Sequence, residues 1–438
     1  MLCARQPFEG VVGVTTAEQD DAAPTTRIQL HGLDAATVAV APGTTVRVSY
    51  LDDGRATLVG PDGRRTGPMP GPVRDGRSSA GSPVPRPTHP GPRHVPPPNI
   101  VSSPQQFNTH DLFVDMRPIV DQKLFCKVEG MNFAGSVKLK AAAAMVEAAE
   151  AAGQLNPWSI IVESSSGNLG VALAMVSANR GYRFICVTDD RCNPQTRRLM
   201  ETYGAEVHVV SVPNPVTGLL GARLDHLRAL CERDPDTVWL NQYENPANAG
   251  AHYATTAPSI ARAIPGIEVL LVGAGTCGTL MGNARWFKQH RPDVRVVAID
   301  VEGSVSFGGP ASPRHIPGLG MGMTPPALDR SLIDDVVIVP EVETVRMCQR
   351  LAMRGFLFGG STGTVVAGAA RWLARHAHPG TTAVTIAPDQ GERYLDTVYA
   401  PEWREQHYGP AGDLSRSHRL PAPTAGPPAV PTPPTSEE

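Results

Sequence analysis

Residues 98–408 predict an α/β fold whose parallel sheets are covered on both faces, and three observations carry that expectation. Apolar runs of strand length alternate with longer stretches of helical period. Runs such as Ser159-Ile160-Ile161-Val162 and Val269-Leu270-Leu271-Val272 are apolar without interruption, as strands buried on both faces are. Loops rich in glycine, serine and threonine join those runs to the helices that follow. Strands are expected over 158–163, 183–188, 206–210, 237–240, 268–273, 294–300, 335–339 and 382–387. Helices are expected over 138–152 (alanine-rich and ended by Gly153), 168–180, 194–203, 217–232, 252–263, 278–290, 342–354 and 362–377. Ligands of such sheets bind at the carboxyl ends of the strands, where those loops lie.

The flanks differ from this region. Residues 61–97 belong to a Pro/Gly-rich stretch with almost no large apolar side chains, too little to offset the entropy of ordering it, and they are expected to be a disordered linker. Residues 409–438, also proline-rich, are expected to be a disordered tail. Within residues 1–60 weak alternation at Thr26-Arg27-Ile28-Gln29-Leu30 and Thr45-Val46-Arg47-Val48 admits a small β unit, and equally a poorly ordered extension.

Composition excludes several classes. A formal charge of −3, from 39 Lys+Arg against 42 Asp+Glu, does not suit a protein held to nucleic acid by phosphate contacts. No apolar run reaches the ~18 residues of a membrane span, and no basic-then-apolar leader opens the chain. The seven cysteines are widely spaced without a CxxC pair, so neither a disulfide framework nor a metal site is expected and a cytoplasmic setting is. Lysine occurs only at Lys123, Lys127, Lys138, Lys140 and Lys288, which limits any amine chemistry to five candidates.

Three strand-to-helix loops carry chemistry. Glu163-Ser164-Ser165-Ser166-Gly167-Asn168 offers hydroxyls, amides and a helix N-terminus to an anion, although a cap and turn would use the same residues. Gly273-Ala274-Gly275-Thr276-Cys277-Gly278-Thr279 admits two ligand readings. As GxGxxG followed by Asp300 it fits a dinucleotide fingerprint; as Gly275 through Thr279 it fits a cup for one phosphate monoester. Close strand–helix packing through glycine is a third. Gly359-Gly360-Ser361-Thr362-Gly363 could cap its helix or meet a ligand.

Lys138 adds the deciding context. In Gly135-Ser136-Val137-Lys138, Ser136 is expected to cap a helix with Lys138 in its first turn, where the helix dipole disfavours a cation. A neutral amine can form a Schiff base. An amine for an aldehyde, a cup for a single phosphate and a polar loop for a carboxylate together specify pyridoxal 5′-phosphate, whereas a dinucleotide leaves Lys138 and the Ser-Gly-Asn loop without roles.

Lys127-Val128-Glu129, Gly135-Ser136-Val137-Lys138, Ser165-Ser166-Gly167-Asn168, Gln242-Tyr243-Glu244-Asn245-Pro246, Gly275-Thr276-Cys277-Gly278-Thr279, Ile316-Pro317-Gly318-Leu319-Gly320, Gly360-Ser361-Thr362-Gly363 and Pro388-Asp389-Gln390-Gly391-Glu392-Arg393-Tyr394 occur in that order. The sequence thereby resembles the cysteine synthase/cystathionine β-synthase family of fold-type II pyridoxal-phosphate enzymes. The resemblance implies a tryptophan synthase β-like fold of two three-layer α/β/α domains with the cofactor in the cleft between them. The smaller would span about 136–250 and the larger about 98–135 plus 251–408. It implies that Lys138 holds the cofactor and then moves protons, and that Asn168 bonds the phenolic oxygen. Gly275, Thr276, Cys277, Gly278 and Thr279 would bind the phosphate, and Ser361 would face the pyridine nitrogen. Ser165, Ser166, Gly167 and Gln242 would grip the carboxylate of a small-molecule amino-acid substrate. It also implies a homodimer.

Departures from the family pattern are Phe133-Ala134 for Pro-Gly, Lys140 for arginine, and Cys277 where glycine is common, with a side chain that must turn away from the phosphate. Asn241-Gln242-Tyr243, Glu302-Gly303-Ser304-Val305-Ser306-Phe307-Gly308 and Asp389 through Tyr399 resemble one branch, the N-(2-amino-2-carboxyethyl)-L-glutamate synthases of diaminopropionate pathways. That branch implies β-replacement of O-phospho-L-serine by L-glutamate through an α-aminoacrylate. Arg223, and with it Tyr243, would then lie at the substrate, although Arg223 on a helix is equally a solvated charge. Sulfide as nucleophile is the alternative reaction. An NAD-dependent oxidoreductase and a non-catalytic cofactor-binding protein are the readings from other classes.

Overall fold

The computed structural model describes residues 101, 103–107 and 111–412, and four short strands nearer the N-terminus. Contacts divide the chain into two units, Met1–Pro96 and Pro97–Glu438. In the first, β1 (Thr26–Gln29) pairs antiparallel with β2 (Thr37–Val40), and β3 (Arg47–Tyr50) with β4 (Ala56–Val59). The expected linker over 61–97 and residues 413–438 of the expected tail lie outside the described residues, whereas the first four residues of that tail, Gly409–Gly412, form a 3-10 turn rather than disordered chain.

The second unit opens with β5 (Phe113–Asp115), α1 (Arg117–Val120), β6 (Leu124–Val128), α2 (Lys138–Ala151), β7 (Ile160–Ser164) and α3 (Asn168–Arg180). It continues through β8 (Arg183–Asp189), α4 (Pro194–Thr202), β9 (Glu206–Val210), α5 (Gly218–Arg233), β10 (Thr237–Trp239), α6 (Pro246–Ala251) and α7 (Ala257–Ala263). It closes with β11 (Val269–Gly273), α8 (Gly278–His290), β12 (Arg295–Val301), β13 (Asp335–Val339), α9 (Glu341–Ala352), α10 (Gly360–His376), β14 (Ala383–Ala387) and α11 (Pro401–Tyr408).

Two sheets result. The smaller has the order β10-β7-β8-β9 and is parallel throughout. The larger has the order β13-β12-β11-β14-β6-β5, parallel except for the edge pair β5–β6. Strand pleating sends alternate residues to opposite faces. Val269 and Leu271 meet Val365, Val366 and Trp372 of α10 on one side, while Leu270 and Val272 meet Leu280 and Phe287 of α8 on the other. In the smaller sheet Ile161 packs with α2 and α3, and Ile160 and Val162 with Leu227 and Leu230 of α5. Both sheets are therefore covered on both faces, which is why their strands read as unbroken apolar runs.

The expected strands and helices are present to within two residues at either end, apart from 252–263. There the chain forms a π-helical turn, His252–Thr256, between α6 and α7, and the N–H of Ala257 bonds the carbonyl of His252 five residues back. Pro258 has no N–H to give the carbonyl of Ala254, so the ladder shifts at this point. Sequence reasoning also missed β6, because Lys127 interrupts its apolar run; the lysine is fully buried on account of an acidic partner, Glu129, 3.6 Å away.

The turn at 252–256 crosses α8 closely at Gly282. A Cβ there would stand 2.2 Å from the carbonyl oxygen of Ala249 and 2.7 Å from the Cβ of His252. Gly282→Ala is therefore expected to destabilise the protein by about 1–3 kcal/mol through overpacking, read as a lower denaturation midpoint. An unchanged midpoint would show that the two helices have room to part.

Candidate active site

The loops at the carboxyl ends of both sheets enclose one cavity of about 1010 Å³. Lys138 is the first residue of α2, and the preceding strap is anchored by the Val137 N–H donating to the Pro388 carbonyl (2.6 Å). Ser136 is not the residue that caps this helix. Val137 intervenes, and the Ser136 hydroxyl instead accepts from the Lys138 N–H at 3.4 Å. The Lys138 amine enters the cavity and reaches the Thr276 hydroxyl at 3.5 Å. Burial holds its pKa below the ordinary lysine value, opposed by Cys277 and by the carboxylate of Glu163. Desolvation, rather than the helix end alone, thus favours the neutral amine.

Gly275 through Thr279 turn from β11 into the N-terminus of α8 and line the cavity. Thr276 is steadied by Asn248 Nδ2 (3.5 Å), and the Thr279 hydroxyl meets His252 Nε2 (3.2 Å). Cys277 takes a left-handed conformation (φ 67°), which glycine adopts more readily, and its Sγ turns back to donate to the Gly275 carbonyl (3.4 Å). Asp300 is excluded as a ribose ligand. It is fully buried, and one carboxylate oxygen accepts from the Val301 N–H at 2.8 Å.

On the wall formed by the smaller sheet, the Ser165 hydroxyl accepts from the N–H groups of Gly167 (3.3 Å) and Gly170 (3.0 Å). It fixes the start of α3 while lining the cavity beside Ser166 and Gly167. Gln242 is buried, with its side-chain amide donating to the Ser164 carbonyl (3.0 Å). Beneath this loop Glu163 accepts from the N–H groups of Ser164 (2.8 Å) and Gln242 (3.0 Å) and from the Trp239 indole (3.2 Å). Arg223 is not a solvated helix charge. It is buried on α5, paired with Asp189 at 3.3 Å, and lines the cavity with the buried Tyr243. Burial pushes the Tyr243 phenol up to about 12, so it remains a hydrogen-bond donor at neutral pH.

Asn168 opens α3 with both ends of its amide engaged. Its nitrogen donates to Asp389 (2.9 Å) and its oxygen accepts from Arg393 (2.5 Å), which leaves one N–H for a ligand. Asp389 also accepts from the Tyr394 hydroxyl (2.5 Å). Ser361, the second residue of α10, lines the cavity with no hydrogen-bond partner among the described residues. The structure thus brings every predicted site residue to one cleft. Sequence reasoning gave no role to Glu163, which accepts from backbone N–H groups beneath the loop, or to His252, Asp389 and Arg393, which bond the side chains of Thr279 and Asn168. The signal for the last two was present in the Pro388–Tyr394 motif.

A family model described as pyridoxal-phosphate dependent enzyme matches residues 115–389. The chain belongs to this family. Among its relatives is N-(2-amino-2-carboxyethyl)-L-glutamate synthase of Ralstonia nicotianae, 41% identical over 283 residues, covering 64% of this chain and 83% of that one. The Cupriavidus metallidurans protein of the same name is 39% identical over 289 residues, covering 65% and 84%. A solved O-ureido-L-serine synthase is 37% identical with a TM-score of 0.62, covering 68% of this chain and 94% of that one.

The donor set suits this pyridoxal-phosphate dependent enzyme's cofactor. A buried amine, a cup of backbone amides and threonine hydroxyls at a helix N-terminus, and an unpartnered serine hydroxyl line the same cavity. The dinucleotide reading leaves that amine unexplained.

Burial raises the pKa of Glu163 from 4.5 to about 7. The folded state therefore binds a proton that the unfolded chain has released. This contribution to stability is fully present below about pH 4.5 and lost as pH rises through about 7. Between those limits the stability of the wild type relative to Glu163→Gln is expected to fall by about 3 kcal/mol. Denaturant titrations across that range check it, and a pH-independent difference would contradict it.

Proposed function

We propose that this enzyme joins O-phospho-L-serine to L-glutamate by β-replacement, releasing phosphate and giving N-(2-amino-2-carboxyethyl)-L-glutamate. One observation carries the choice of leaving group: a buried guanidinium, Arg223, and a phenol held protonated, Tyr243, face the cavity that Lys138 enters. An arginine and a donor hydroxyl recognise a phosphate monoester. The relatives named for this product support the choice of glutamate.

Bound pyridoxal phosphate supplies an aldehyde and an electron-accepting ring. The residues supply the rest. Gly275, Thr276, Cys277, Gly278 and Thr279 cradle its phosphate with backbone amides and the two threonine hydroxyls. The remaining N–H of Asn168 holds the phenolic oxygen. The Ser361 hydroxyl, being neutral, leaves the pyridine nitrogen unprotonated and so favours elimination. Ser165, Ser166, Gly167 and Gln242 hold the substrate carboxylate. Lys138 takes the α-proton as the Cβ–O bond to phosphate breaks, and Arg223 and Tyr243 receive the leaving phosphate. The glutamate nitrogen then bonds to Cβ and loses a proton, and Lys138 returns a proton to Cα.

The decisive experiment incubates the holoenzyme with O-phospho-L-serine and either L-glutamate or sulfide, and identifies products by mass. The glutamate adduct is expected to form at the higher kcat/KM; cysteine as the sole product would refute the choice of nucleophile. Lys138→Ala is expected to lower turnover by about 10²–10⁴-fold, the usual worth of a positioned proton-transfer group. Arg223→Ala is expected to raise KM for O-phospho-L-serine by about tenfold or more, the loss of a hydrogen bond to a charged group, while KM for glutamate stays put. A change confined to the glutamate KM would move Arg223 to the other substrate.

A further inference from the structure

Behind the phosphate cup runs a line of buried polar groups that none of the roles above uses. Glu129 on the strap after β6 pairs with the Lys140 ammonium of α2 at 2.7 Å. Lys140 Nζ lies 3.1 Å from the Thr256 hydroxyl, which lies 3.0 Å from His252 Nδ1. His252 Nε2 lies 3.2 Å from the Thr279 hydroxyl, at the first turn of α8. Glu129, Lys140, Thr256 and His252 are all buried, whereas Thr279 lines the cavity.

Donor and acceptor chemistry gives this line a direction. An ammonium only donates, so the Thr256 oxygen accepts from Lys140. The single Thr256 proton then has one acceptor among the described residues, His252 Nδ1. With Nδ1 accepting, a neutral ring carries its proton on Nε2 and donates to the Thr279 oxygen. The proton of Thr279 is thereby left to point into the cup. The opposite direction would strand the Thr256 proton in a fully buried position and turn the Thr279 proton away from an anion. Burial, together with the charge of Lys140, holds His252 well below the ordinary histidine value, which keeps the ring neutral as the relay requires.

We propose that Glu129, Lys140, Thr256 and His252 are positioning residues, a one-way hydrogen-bond relay that holds the Thr279 hydroxyl as a donor to the cofactor's phosphate. The π-helical turn at 252–256 presents His252 and Thr256 together, and the close crossing at Gly282 sets the distance from His252 to α8. The relay rests on the assignment of the cup to the phosphate, so the experiment separates the two.

Apoenzyme is titrated with pyridoxal 5′-phosphate and with pyridoxal, which lacks the phosphate, and the ratio of the two dissociation constants is read. Thr279→Val tests the cup. Thr256→Val and Lys140→Met each break the relay at a different joint, so either one suffices should the other not fold. Lys140→Arg retains a group that only donates. The relay variants are expected to weaken pyridoxal 5′-phosphate about tenfold, the worth of one hydrogen bond to a charged group. Pyridoxal affinity stays within about twofold, and the ³¹P resonance of the bound phosphate moves. Lys140→Arg keeps the wild-type ratio. A merely structural role would weaken both ligands alike, and that result overturns the relay. So does a wild-type ratio in Thr256→Val and Lys140→Met beside a lost one in Thr279→Val. A wild-type ratio in Thr279→Val itself would sink the cup assignment and the relay with it.

Discussion

The site depends on one amine taken out of water. Lys138 stands at the N-terminus of α2, where a helix dipole and burial both oppose its charge, and its Nζ reaches the hydroxyl of Thr276 on the other sheet's loop. That reach joins the two halves of the catalytic unit chemically. Under the proposed function, an aldehyde cofactor bound there would be held at one end by the amine and at its phosphate end by the amides of Gly275 through Thr279, all of which line the same cavity.

The supporting residues show how the fold maintains such an arrangement. Asn168 and Gln242 could each rotate, yet both are held, the side-chain amide of the first by Asp389 and Arg393 and that of the second by the Ser164 carbonyl, while Glu163 pins the backbone N–H of Gln242. An amide whose other partners are satisfied presents its last N–H in one direction, which is how side chains on short loops achieve orientation without rigidity of their own. Glu163 illustrates the electrostatic consequence. A carboxylate that accepts three hydrogen bonds while buried remains near neutrality in its titration, because desolvation outweighs the donors.

Much of this was legible in the sequence, and the reasons are particular. Unbroken apolar runs at 269–272 and 160–162 marked covered parallel strands because no water-facing side interrupts them. Glycine, serine and threonine between such runs and helices marked the cup and the 163–168 loop, because anion binding needs open backbone at a helix start. Arg223 was ambiguous because a helix carries arginine equally well toward solvent or toward a cleft, and only packing against Asp189 decides. Buried charge was the least legible feature. Lys127 hid β6, and Lys140 looked like a substitution at a motif position until Glu129 and Thr256 gave it partners. The π-helical turn was invisible for a related reason: Pro258 signals a break, but which carbonyl takes up the slack depends on the helices packed around it.

The chemistry of the site depends on which of the five lysines meets the cofactor. Reduction of the purified holoenzyme with borohydride, followed by proteolysis and mass spectrometry, reads this directly. A pyridoxyl group is expected on the peptide containing Lys138 and on no other lysine. Its appearance on Lys127 or Lys140, or on no lysine at all, would contradict the assignment of Lys138.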